Sequence, residues 1–148
     1  MVDRFERFSF AIFEISRYWH KITTEELARY GLKGPHATYL TTMYRFEDGI
    51  TAPQLCELCG KDKADVSRAM SLMEEKGLVK RDGAAYRGKL MLTGEGKAAA
   101  EHVRRRAALA VEMAGKDLTD ESRVIFYQAL ESITANMREL SKEGLPQQ

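Results

Sequence analysis

Near the N-terminus the apolar positions Phe5, Phe8, Ile12, Ile15, Trp19 and Ile22 are separated by alternating steps of three and four. That spacing lays a narrow seam along one face of a helix, predicted from about Asp3 to Tyr30. The far end repeats the pattern. Phe126, Leu130, Ile133, Met137 and Leu140 step by four, three, four and three, behind Thr119 or Asp120 as a cap. Two terminal helices with such seams predict helix-on-helix packing, within one chain or between two copies.

The segment between them is punctuated more closely. Gly34-Pro35 opens a helix carrying Tyr39, Leu40, Met43, Tyr44 and Phe46, and Asp48-Gly49 reads as a turn. Thr51-Ala52-Pro53-Gln54 forms a capping box for a short helix, with Leu55 and Leu58 expected inward and Gly60 at its end. Asp62 caps the next helix, in which Val66, Met70 and Met73 recur at helical spacing beside Ala69 and Leu72. Gly77 suits a left-handed C-terminal cap with Leu78 as its apolar partner. Leu78–Arg81, a turn at Asp82–Ala85 and Tyr86–Leu92 read as a hairpin, and Thr93 with Glu95 opens a long helix to about Ala114. A helix pair followed directly by a two-stranded ribbon is the layout of a winged helix-turn-helix. The fold class is therefore mainly α with a small β-hairpin wing. It is expected as one domain over 1–148, with a lobe at 35–92 flanked by helical dimerisation regions at 3–30 and 95–140.

Composition narrows the function. The 148 residues are 44% hydrophobic, enough for a sizeable core. Charges interrupt every long apolar run, and no basic-then-apolar leader opens the chain, so a cytoplasmic protein without a membrane span is expected. Net charge is only +1, yet between Lys61 and Lys89 eight basic residues face five acidic ones, a local +3 that leaves −2 for the rest. The basic surplus thus coincides with the ribbon and the helix before it. No nucleophile elbow, phosphate loop or HExxH helix is present, and Gly94-Glu95-Gly96 is too short for a nucleotide loop, so an enzyme is not expected.

Three stretches carry a specific likeness: Asp62-Lys63-Ala64-Asp65-Val66-Ser67-Arg68, then Met73 to Arg81, then Leu90-Met91-Leu92-Thr93-Gly94-Glu95-Gly96. Together they resemble the MarR family of transcriptional regulators, over essentially the whole chain. The resemblance implies a homodimer on a pseudo-palindromic site in double-stranded DNA, a repressor or an activator, with no cofactor. The first stretch would open the recognition helix. Ala64 and Ser67 are small enough to let its backbone approach the major groove, and Arg68 is suited to a guanine edge or a phosphate. Lys61 and Lys63 would meet phosphates, and the helix start at Thr51 to Gln54 offers backbone donors to another. The wing would add Lys80, Arg81, Arg87 and Lys89, with Arg87 near the tip aimed at a minor groove. In the wing this chain departs from the family pattern. Ala84 and Tyr86 stand near the places of an Asp and an Arg, with Arg87 one residue later.

The resemblance also implies a small aromatic or anionic effector between the dimerisation helices and the lobe. Trp19, His20, His36, Tyr39 and Met43 suit a mostly apolar pocket with a few polar handles. An aromatic stripe at helical spacing is more often plain core. Some family members sense zinc, and His36, Glu101 and His102 invite comparison. However, His36 misses the metal position of that pattern, and no metal is expected. Cys56 and Cys59 form a lone C-x-x-C, suited to packing as small hydrophobes, with redox sensing as the alternative. A second reading of the whole chain remains open: a winged-helix module that binds another protein rather than an operator.

Overall fold

The computed structural model describes residues 3–83 and 88–147. Its contacts fall into two compact units, Met1–Ala108 and Leu109–Gln148. In the first unit, helix α1 (Arg4–Leu27) starts at Asp3, where a capping box with Glu6 closes the N-terminus, and ends in a 3₁₀ turn at Ala28–Tyr30. Helix α2 (His36–Tyr44) follows, then β1 (Ile50–Thr51), α3 (Ala52–Cys59), α4 (Lys63–Glu75), β2 (Val79–Asp82) and β3 (Lys89–Leu92). Helix α5 (Gly94–Ala114) runs from the first unit into the second, which contains α6 (Asp120–Glu143).

The predicted hairpin is present but is not alone. The sheet has three antiparallel strands in the order β1-β3-β2. Ile50 pairs with Leu90, and Val79 pairs with Leu92, so β3 is central. The sequence reading missed β1 because two residues are too short to show an alternating pattern.

One core holds the first unit together. Leu27, Leu40, Met43, Ile50, Leu55, Val66, Met70, Met73 and Leu90 are each at most 2% exposed, and Ala99, Ala100 and Val103 of α5 close the cluster. Burying each large side chain contributes about 1.5–3 kcal/mol. Gly96 sets how closely α5 approaches the sheet, because a Cβ there would run into the Leu78 carbonyl oxygen. Two expectations, of Leu58 turned inward and of Phe46 on the second helix, need correction. Leu58 is 53% exposed, because the buried side of α3 runs through Leu55 with Cys56 and Cys59 behind it. Phe46 lies beyond the end of α2 and is 38% exposed.

The terminal seams are open. On α1 only Thr23 and Leu27 are buried, while Phe5, Ile15 and the other seam residues are exposed. No residue of α6 is buried.

Within the first unit α1 is fastened to α5 by polar contacts. Arg106 Nε donates to Glu26 Oε1 at 2.9 Å, and His102 Nε2 lies 3.0 Å from Glu26 Oε2. The Arg106 hydrogen bond, opposed by burial, holds the Glu26 carboxyl below its ordinary range. A depressed carboxyl stabilises the fold fully above the ordinary value of 4.5 and loses that contribution as pH falls through the lowered one. Glu26→Gln should therefore flatten the acid limb of the stability–pH curve. Urea midpoints measured from neutral pH down through the acid limb check this, and an unchanged limb would remove the contact from the stability of the lobe.

Candidate nucleic-acid interface

The helix-turn-helix is built from caps the sequence specifies. Thr51 Oγ1 accepts from the Gln54 N–H at 3.3 Å, and Gln54 Oε1 accepts from the Thr51 N–H at 3.1 Å. Gly60 turns the chain at φ 62, where the absence of a Cβ removes the strain of the left-handed conformation. Asp62 Oδ1 then accepts from the Asp65 N–H at 2.7 Å and starts α4.

Helix α4 has two sides. Val66, Ala69, Met70 and Met73 are buried, whereas Ala64, Ser67 and Arg68 are exposed together at the N-terminal half. Lys61 and Lys63 flank that exposed start. Asp65 receives the Tyr39 hydroxyl, which comes from α2 through the core. Burial, reinforced by this bond, pushes the Tyr39 phenol well above its ordinary pKa. Asp65 therefore couples α4 to α2 behind it.

The wing strands sort their charges by alternation. Lys80 and Lys89 are exposed, but Arg81 shares the parity of Val79 and turns toward α4. Its Nε donates to Glu74 Oε2 at 2.7 Å. Arg81 is thus engaged within the lobe rather than presented outward as a phosphate contact, and it lines a small cavity of about 60 Å³ with Lys63 and Ser67. The phosphate donors expected at the start of α3 are also reduced. Pro53 has no N–H, and that of Gln54 is taken by Thr51. Arg87, expected at the wing tip, lies outside the described residues.

The effector candidates take separate roles. Tyr39 and Met43 are 1% and 2% exposed core residues, as helical spacing of large side chains commonly gives. His36 Nδ1 accepts from the Lys33 N–H at 2.9 Å, and burial lowers its pKa, so its imidazole closes the entry to α2 in the neutral form. His20 packs against Gly34, whose N–H donates to Thr24 Oγ1 at 3.1 Å. Trp19 is 39% exposed on α1. Glu101 accepts from the Tyr44 hydroxyl at 3.0 Å, while His102 is engaged with Glu26. Among the described residues no three His, Cys, Asp or Glu side chains are grouped to hold a metal ion. Cys59 lies 3.6 Å from Thr42 Oγ1, and burial pushes its thiol up, away from the reactive thiolate. Sequence reasoning did not foresee the α1–α5 fastening. Of the Arg104–Arg106 run, Arg104 lies 4.9 Å over the Tyr44 ring and Arg106 holds Glu26. The Glu26 partner is 80 positions away in sequence and left no local signal.

A helix-turn-helix whose second helix has an exposed face, with an adjoining ribbon, defines the lobe as a winged helix-turn-helix. Residues 30–87 match the model of the MarR family. No curated protein matches the chain. The fold agrees with solved structures over nearly its full length. A MarR transcriptional regulator from Methanosarcina mazei is 23% identical, with 95% of this chain and 94% of that chain covered and a TM-score of 0.83. A MarR family regulator from Listeria monocytogenes, complexed with 26mer DNA, is 21% identical, with 100% and 99% covered and a TM-score of 0.80. The Staphylococcus aureus MepR–DNA complex is 17% identical, with 87% and 96% covered and a TM-score of 0.78. Residues 30–87 are thus similar to the MarR family, and the chain has the fold of MarR family transcriptional regulators. Among the described residues no helix is long and apolar enough to cross a membrane.

Tyr39→Phe keeps the ring and removes only the donor to Asp65. The lobe should lose about 1–2 kcal/mol, read as a lower urea midpoint at unchanged slope. An unchanged midpoint would show that the bond contributes nothing net.

Proposed function

We propose that this protein is a sequence-specific transcriptional regulator that binds a pseudo-palindromic DNA site as a homodimer in the cytoplasm, under the control of a small effector. The observation that carries the reading is the outer face of α4. Ala64, Ser67 and Arg68 are exposed together, Lys61 and Lys63 stand at the helix start, and the wing presents Lys80 and Lys89. Small residues let the helix enter a major groove, Arg68 is the side chain suited to a base edge, and the lysines suit phosphates. The Listeria and Staphylococcus proteins of the same fold have been solved with DNA, which supports the same use of this face.

The dimer rests on exposure. Phe8, Ile12, Ile15 and Ile22 on α1, and Phe126, Ile133 and Met137 on α6, are each between 39% and 60% exposed. Apolar stripes of this length are unusual on a monomer and are covered when two copies associate.

Binding to the protein's own upstream DNA should exceed binding to scrambled DNA, and both should weaken as salt rises. Arg68→Ala should reduce the specific component by about 1–3 kcal/mol while leaving scrambled-DNA binding nearly unchanged. Equal binding to both DNAs by the unaltered protein would favour the protein-interaction module instead. Sedimentation equilibrium should show a dimer that Ile12→Glu and Ile133→Glu each shift toward monomer, and a dimer unmoved by both would place the interface elsewhere.

A further inference from the structure

A cleft of about 600 Å³ lies where the turn after α1, the C-terminal cap of α4 and the first turns of α5 meet. That volume is in the range of small-molecule sites, about 300–1,000 Å³. Arg29, Tyr30, Lys76 and Glu95 line it, and Leu78 and Ala98 supply apolar surface. None of the proposed DNA-contacting residues contributes to this lining.

The lining carries both signs of charge around a ring. The Arg29 guanidinium carbon sits 5.1 Å from the Tyr30 ring centroid. Lys76 Nζ rests against Gly31, where a Cβ would lie 2.5 Å away, and Glu95 Oε2 faces Gly77, where a Cβ would lie 3.5 Å away. Among the described residues none of the three charges has an ion-pair partner within 4.0 Å, for the ion pairs formed join other side chains. Glu95 is therefore held apart from Arg29 and Lys76 instead of neutralising them. Two cations and one carboxylate, kept separate beside an aromatic ring and an apolar wall, complement a zwitterion with an apolar substituent.

We propose that this cleft binds a free α-amino acid with an apolar side chain. Its carboxylate is met by Arg29 and Lys76, its ammonium by Glu95, and its side chain by Tyr30 and Leu78. The proposal names a site and a ligand class for the effector, and only its regulatory consequence rests on the DNA-binding reading. Lys76 caps the C-terminus of α4. The Tyr30 ring meets His102 edge-on at 5.9 Å, and His102 is bonded to Glu26. An occupant would thus tie the end of the reading helix to the α1–α5 fastening and bias its position.

Titration of the DNA-free protein with L-phenylalanine, 3-phenylpropionate and 2-phenylethylamine, followed by backbone amide shifts, tests the site. L-Phenylalanine should move the amides of Gly31, Gly77 and Ala98. Each analogue lacks one charged group and should bind at least about tenfold more weakly, as the loss of one charge-assisted hydrogen bond implies. Glu95→Gln should weaken L-phenylalanine about tenfold and leave 3-phenylpropionate unchanged. Arg29→Gln should weaken both and spare 2-phenylethylamine. An analogue that binds as tightly as L-phenylalanine, shifts confined to other residues, or no binding of either L-phenylalanine or L-leucine at millimolar concentration would overturn the proposal. The readout contains no DNA, so failure to bind an operator and failure to bind the amino acid are separate results.

Discussion

Val66, Met70 and Met73 lie on one side of α4 and are buried against α2, α3 and the sheet, and everything the opposite side of α4 presents depends on that packing. A helix rotated by one residue would turn by about 100°. Arg68 would then swing toward the core, and a buried methionine would face solvent. The Tyr39–Asp65 bond adds a polar constraint to the same interface, from a tyrosine whose ring is itself core. Apolar burial supplies the energy here, and the Tyr39–Asp65 bond supplies a preferred orientation.

The same economy organises the ribbon. Central β3 is paired on both sides, so its Leu90 and Leu92 are buried while Lys89 remains outside. The period of two that buries Val79 also turns Arg81 inward, onto Glu74. Of the three basic side chains on the described strands, strand geometry therefore leaves Lys80 and Lys89 exposed toward a phosphate backbone, and employs Arg81 in fixing the ribbon to α4. A basic residue count overstates what such a surface can present.

Beyond the lobe, α1 and α6 carry large apolar side chains that the chain itself does not cover. In the lobe, one chain supplies a closed apolar core. On these helices apolar burial is deferred, which is the physical basis for expecting a second copy. The Glu26–His102–Arg106 contacts fasten α1 to α5 beside Thr23 and Leu27, the buried residues of α1.

Much of this was legible in the sequence, because caps and periodicities are local. Asp62, Thr51 with Gln54, Gly60 and Gly77 each act within four residues of their own positions, and the structure uses them as their spacing predicts. The exposed trio Ala64, Ser67 and Arg68 follows from the same helical period that buries Val66 and Met70. What the sequence could not determine was long-range pairing. The two-residue strand β1, the outward turn of Leu58, the engagement of Arg81 and the Glu26 contacts all depend on segments distant in sequence meeting in space. Local rules fix which face a residue occupies, but only the packed chain decides what that face meets.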